Sequence, residues 1–365
     1  LIDTMPYMIA SASQPARPLI RRSRNLEVSI VIALAIGIVG AFWGIQRYPA
    51  LLKKLHTGNA LHIGGAISFD ALLPVNPAMP LPLRALRTGV NWIYTNRFGM
   101  YFALPFGAAM MTLLAQTTGS RQFKHAAANV ICGAVAGAPL GVCTNCATPV
   151  AQSLLAGGAS TRMTVAAMIS SPSFNPVVLA MAFVLFPARL AVFRVMVPAL
   201  LLAMLPLFVR EREPQRLGMT MPDEAVSPGA RAAALAKTFL RSLLRLTLMT
   251  LPWMLLAALL GGFAAEAIPA YATHLPLSVI GVVLVAIFGT LLPVPMAFDV
   301  GLAWVLYRSG VPAPYVAALL CTLGPVSIYS LTALGQQLGR SVPLKMAAAT
   351  ACLGSVAGVL TILRG

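Results

Sequence analysis

Two thiols stand three positions apart in the run Pro139-Leu140-Gly141-Val142-Cys143-Thr144-Asn145-Cys146-Ala147-Thr148-Pro149. On a helix, Cys143 and Cys146 share a face, close enough to hold one soft metal or metalloid between them or to form a disulfide. Thr144, Asn145 and Thr148 add neutral hydrogen-bonding groups, and Pro149 interrupts the backbone ladder. Structural zinc is not expected, because no second pair of Cys or His follows at zinc spacing. The plain alternative is that both thiols are small buried residues in a tight packing motif. Gly133, Gly137 and Gly141 precede them at four-residue spacing, which suits close helix approach.

Asp299 is the one carboxylate well inside a broken apolar segment, 289–307. An acid at membrane depth is costly, so proton coupling or solute contact is its expected role, with Arg308 as its expected partner. If the segment lies at the interface, Asp299 is instead wet and structural. Asn175, flanked by Pro172 and Pro176, either lines a path or satisfies carbonyls that the prolines set free. Cys132, Cys321 and Cys352 are isolated on apolar faces and read as packing. The four histidines form no ligand spacing, and no cofactor, nucleotide-binding loop or hydrolase motif is apparent.

The elements that must position these residues are membrane helices. With 58% hydrophobic and 10% charged residues and a mean hydropathy of +0.83, the 365-residue chain lies far outside the balance of a soluble domain. Its apolar residues gather in windows of roughly 20, the length a helix needs to cross a bilayer. The net charge of +17 sits at the ends of those windows, where it reads as topology and lipid-headgroup contact; nothing suggests nucleic acid. Arg17, Arg21, Arg22 and Arg24 precede a first window too long for a signal-peptide core, which predicts a retained span with a cytoplasmic N-terminus.

The expected fold is all-α, a polytopic transmembrane bundle of roughly 8–10 spans. Spans are expected at 28–45, 98–116, 163–186, 192–209, 246–265, 275–292, 314–334 and 346–363. Trp43, Arg47 and Tyr48 fit a membrane interface after the first. Segments 126–155 and 289–307 are broken by Pro, Gly or polar residues and read as re-entrant or discontinuous helices. Such backbone survives at membrane depth only inside protein or along a cavity.

Sliding the chain on itself sets Val165-Ala166-Ala167-Met168-Ile169 over Val316-Ala317-Ala318-Leu319-Leu320, each preceded by a broken segment and followed by a Pro and polar cluster. Two related halves follow. The expected organisation is a basic segment (1–27), a first helix with an interfacial connection (28–97), a first repeat (98–209), a hydrophilic linker with an interfacial helix (210–245) and a second repeat (246–365). Paired interrupted helices point to a transporter's solute site near the midplane.

The stretches Gly-Ala-Pro-Leu-Gly-Val-Cys-Thr-Asn-Cys-Ala-Thr-Pro-Val and Ser-Ser-Pro-Ser-Phe-Asn-Pro-Val-Val-Leu resemble a predicted permease family that includes organoarsenical efflux permeases. The resemblance covers 126–186 closely, has an echo at 289–335 and leaves out 1–97. It implies a multi-pass protein of the cell inner membrane that exports a small solute and is not an enzyme. It carries over Cys143, Cys146, Pro149, Pro172, Asn175 and Pro176 as pathway residues. Many members have Cys-Ser-Cys, whereas two residues separate the thiols here.

The expected function is therefore secondary export of a soft metal, metalloid or anion, in contact with the lipid bilayer. Thr144, Asn145 and Thr148 join the path, with Asp299 as coupling candidate. A transmembrane thiol-disulfide relay through Cys143 and Cys146, or a structural subunit with partners in a membrane complex, are the alternatives.

Overall fold

The computed structural model describes residues 16–49, 52, 72–76, 78–116, 123–211, 228–272, 276–294 and 298–363. The start of the basic segment, much of the expected interfacial connection and the linker at 212–227 lie outside the described residues.

Those described form thirteen α-helices and no strand. In lipid every backbone N–H and C=O must find a partner within the protein, and a helix does this within its own segment. Helix α1 (Ala16–Phe42) passes into a π turn, Trp43–Arg47. A first series then runs α2 (Leu81–Gln116), α3 (Ala126–Gly137), α4 (Thr144–Ala156), α5 (Thr161–Ser173), α6 (Pro176–Leu185) and α7 (Ala188–Phe208). A second runs α8 (Pro228–Ala272), α9 (Val279–Leu291), α10 (Phe298–Arg308), α11 (Ala313–Thr322), α12 (Ile328–Leu338) and α13 (Ser341–Leu363). Each series opens with a long helix, continues through four short ones and ends with a helix of 21 or 23 residues.

Stretches within α1 and its π turn, α2, α7, α8 and α13 are long and apolar enough to cross a bilayer alone. The pair α5 and α6 adds a sixth crossing if it counts as one span, bent by 41°. The helix expected without interruption over 163–186 is thus two. Pro172 has no N–H for the carbonyl of Met168, and Asn175 begins a new helix by accepting from Val177 N at 3.0 Å. The expected span 314–334 also divides. Helix α11 stops at Thr322, and Ser327 and Ser330 form a reciprocal cap at the start of α12.

Two further differences have a common cause. Helix α2 starts at Leu81, inside the expected connection, and α8 runs unbroken from Pro228 through the expected interfacial helix into the span. The polar residues in the early part of α2 are satisfied within the protein. Arg84 Nε and Thr88 Oγ1 donate to Glu266 on α8, at 2.8 and 2.7 Å. The outer faces carry exposed Ile36, Leu248, Ile280 and Leu284, an apolar surface suited to lipid.

Candidate functional site

Helix α3 reaches the interior by lying directly on α5. A methyl at Gly133 or Gly137 would run into the backbone of Met163 or Ala167. The third glycine of that spacing serves the turn instead. Gly141 sits at φ +60°, where a side chain is strained, and redirects the chain after the 3-10 turn Ala138–Leu140. Cys143, in extended conformation, stands at the N-cap position of α4 without a side-chain cap bond, and the helix restarts at Thr144. Pro149, one turn further, offers no N–H to the carbonyl of Asn145. Ser171 closes the turn from α5, its hydroxyl accepting from Val142 N at 3.2 Å.

Both thiols are buried, with their sulfurs 3.2 Å apart. Cys143 Sγ also donates to Asn96 Oδ1 at 3.5 Å. Helix α2 can lie this close because residue 99 is glycine: a Cβ there would stand 2.5 Å from Cys146 Sγ. Among the described residues no group of three or more His, Cys, Asp or Glu comes together. The pair therefore offers two sulfur donors, which suits a soft species of low coordination number.

The start of α4 is tied to the breaks of the second series. Thr144 Oγ1 donates to the carbonyl of Gly324. Asn145 Nδ2 donates to Val294 O at 3.1 Å, and its Oδ1 accepts from Ser327 Oγ at 3.3 Å. Thr148 donates back to Thr144 O at 2.7 Å, within its own helix. Asn175 uses its oxygen as the cap of α6, and its amide nitrogen lies 3.8 Å from where a Cβ on Gly141 would stand. Pro172 and Pro176 flank that cap and shape the end of α5 and the beginning of α6.

Asp299 lies in the first turn of α10, buried, where the positive end of the helix dipole favours an acid. Its partner is Arg194 of α7, not Arg308. Arg194 Nη2 donates to Asp299 Oδ2 at 2.7 Å, and the arginine is fully buried. Arg308 is exposed at the far end of the same helix, nine residues or about 13 Å along the axis at 1.5 Å per residue, out of reach. Gly324 joins the two regions: its carbonyl takes Thr144, and a Cβ on it would stand 2.5 Å from Arg194 Nη2 and 3.1 Å from Asp299 Oδ2.

Sequence reasoning missed Arg194, Asn96, Gly99 and Ser327 as neighbours of the site. Arg194 carried a usable signal, a lone cation near the start of an apolar run of some twenty residues. Arg47 needs correction: expected at the membrane interface, it is buried, while Tyr48 beside it is 57% exposed.

Apolar helices long enough to cross a bilayer, interrupted helices whose breaks meet inside the bundle and a buried ion pair between them define a multi-pass membrane protein built like a transporter. A family model described as "Predicted permease" (ArsP_1) matches residues 101–362, and the chain belongs to that family. No curated protein and no solved structure matches it. Membership in a permease family points to a membrane transporter.

Proposed function

We propose that the chain is a secondary permease of the inner membrane, with its N-terminus in the cytoplasm, that exports a small solute with a soft centre. The solute meets Cys143 and Cys146 where α3 gives way to α4, beside Thr144, Asn145 and Thr148. Pro149, Pro172, Asn175 and Pro176 shape the break that admits it. Asp299, held by Arg194, is the coupling group. The two series are related halves, as their shared order of long, short and long helices suggests.

One observation carries this reading: the start of α4 is bonded through Thr144 and Asn145 to Gly324, Val294 and Ser327, so both series meet at the thiols' helix. While the Arg194–Asp299 pair joins the series at the second break, relative movement of the halves at this junction must break or remake those few neutral bonds, each worth only about 1 kcal/mol net. That is a junction suited to alternating access. A thiol-disulfide relay is less well supported, since a relay needs a second redox partner and the remaining cysteines stand singly.

The test is growth under trivalent metalloids and soft metals of cells that express the intact chain or Cys143→Ser plus Cys146→Ser at matched membrane levels. Protection by the intact chain that disappears in the double variant is the expected result. Equal sensitivity of cells with the intact chain and with empty vector across the panel would sink the soft-solute reading.

A further inference from the structure

Arg47 ends the π turn after α1, outside the segment that the family model matches. It is held from two sides. Trp43 Nε1 donates to Pro139 O at 2.5 Å, which pins the turn to the end of α3. The guanidinium lies over the Phe42 ring at 4.4 Å, and that ring is stacked at 4.3 Å on Phe102 of α2.

Arg47 is only 8% exposed, and its buried Nε has no hydrogen-bond partner. Among the described residues the two ion pairs are Arg84–Glu266 and Arg194–Asp299, and no described carboxylate neutralises Arg47. Arginine keeps its charge under all ordinary conditions, and a buried charge without a counter-charge is costly. What it faces is the first break. Its Nε lies 3.8 Å from where a Cβ on Gly141 would stand, and the guanidinium is within electrostatic reach of both thiols. The start of α4, at the same place, presents the positive end of a helix dipole. Two positive contributions and two soft sulfur donors thus converge on one turn.

We propose that Arg47 is a solute-binding residue of the dithiol site, and that the solute joins a soft, thiol-reactive centre to an anionic oxygen group. This rests on the dithiol reading above. The sulfurs take the soft centre, and the guanidinium takes a carboxylate or oxyanion through paired N–H donors. The helix ahead of the matched segment then acts as a specificity element that selects charged over neutral soft solutes.

Two mercurials test it on the purified full-length chain in detergent: 4-(hydroxymercuri)benzoate and phenylmercuric hydroxide, which differ in the carboxylate. With either, a thiol forms an S–Hg bond, the Hg–OH bond breaks, and the hydroxide leaves with the thiol proton as water. Site-resolved mass spectrometry follows the rates at Cys143 and Cys146 in the intact chain, Arg47→Gln and Arg47→Lys. The intact chain should react at least about tenfold faster with the benzoate, the scale of charge-steered association. Arg47→Gln should remove that ratio, and Arg47→Lys should retain part of it. Equal rates for both probes in the intact chain, or a preference unchanged in Arg47→Gln, would overturn the role of Arg47 while the dithiol site stands. If neither probe reaches Cys143 or Cys146 while exposed Cys352 reacts, the dithiol reading falls as well. Equal rates for the two probes in the intact chain overturn the role of Arg47 even where a variant does not fold.

Discussion

Between α3 and α4 the chain turns through Gly141 and offers two thiols, two hydroxyls and an amide, all neutral. Between α9 and α10, in the second series, the helix that restarts carries a carboxylate, Asp299, buried against Arg194 of the first series. The same architectural break is thus built from opposite chemistry. A neutral break can take and release a solute by exchanging weak hydrogen bonds. An ion pair resists opening, because separating it leaves buried charges alone, which is far costlier than a lost neutral bond. The charge beside the first break, Arg47, comes from the π turn after α1 and has no such partner among the described residues. The comparison assigns binding to the first break and locking to the second, with Gly324 in contact with both.

The sharpest way to break this contrast is at the charged side. Asp299→Ala leaves Arg194 buried and alone and should cost about 3–5 kcal/mol in a detergent unfolding assay. Replacing both, as Arg194→Met with Asp299→Leu, should restore most of that loss. A double variant as unstable as the single one would mean that the pair does not act as a lock.

Gly324→Ala probes the joint between the regions. A methyl there presses on Arg194 and should cost about 1–3 kcal/mol by overpacking. Because the group it meets is the ion pair, its effect should be non-additive with Asp299→Ala in a double-mutant cycle. Simple additivity would uncouple Gly324 from the lock.

On the neutral side the expected effects are smaller. Thr144→Val removes one hydrogen bond and should lower stability by about 1 kcal/mol. Ser327→Ala, which loses both the cap of α12 and a contact to Asn145, should cost about 0.5–2 kcal/mol. Losses of about 3 kcal/mol or more at Thr144, on the scale of a broken buried ion pair, would erase the distinction between the two breaks.

The sequence reveals the breaks themselves more readily than their partners. Gly137, Gly141 and Pro149 mark the first, and the polar residues and prolines around 289–307 mark the second, because a membrane helix rarely tolerates such residues without a purpose. The division of 163–186 is harder to read, since the segment taken whole is apolar enough for one span even though serines and two prolines surround Asn175. Proximity along the chain suggests a partner for Asp299 on its own helix, but the partner lies on another, 105 residues away, where no local periodicity points. Asn96 and Gly99 are hidden for a related reason. Asn96 has the polar character of a connection and Gly99 reads as one small residue of an expected span until the thiols are seen packed on both. Arg47 at the end of an apolar window has the appearance of an interfacial anchor, and only the fold turns it inward.

The most direct test of the central claim is accumulation of a trivalent metalloid in everted membrane vesicles, compared between the intact chain and Cys143→Ser plus Cys146→Ser. Stability of the double variant should stay within about 1 kcal/mol of the intact chain, since each substitution exchanges one small buried donor for another. The account predicts accumulation by the intact chain at least about tenfold above that of the variant, the equivalent of about 1.4 kcal/mol of lost binding. Equal accumulation by the two, above vesicles without the protein, would place the solute path away from the thiols and contradict the account.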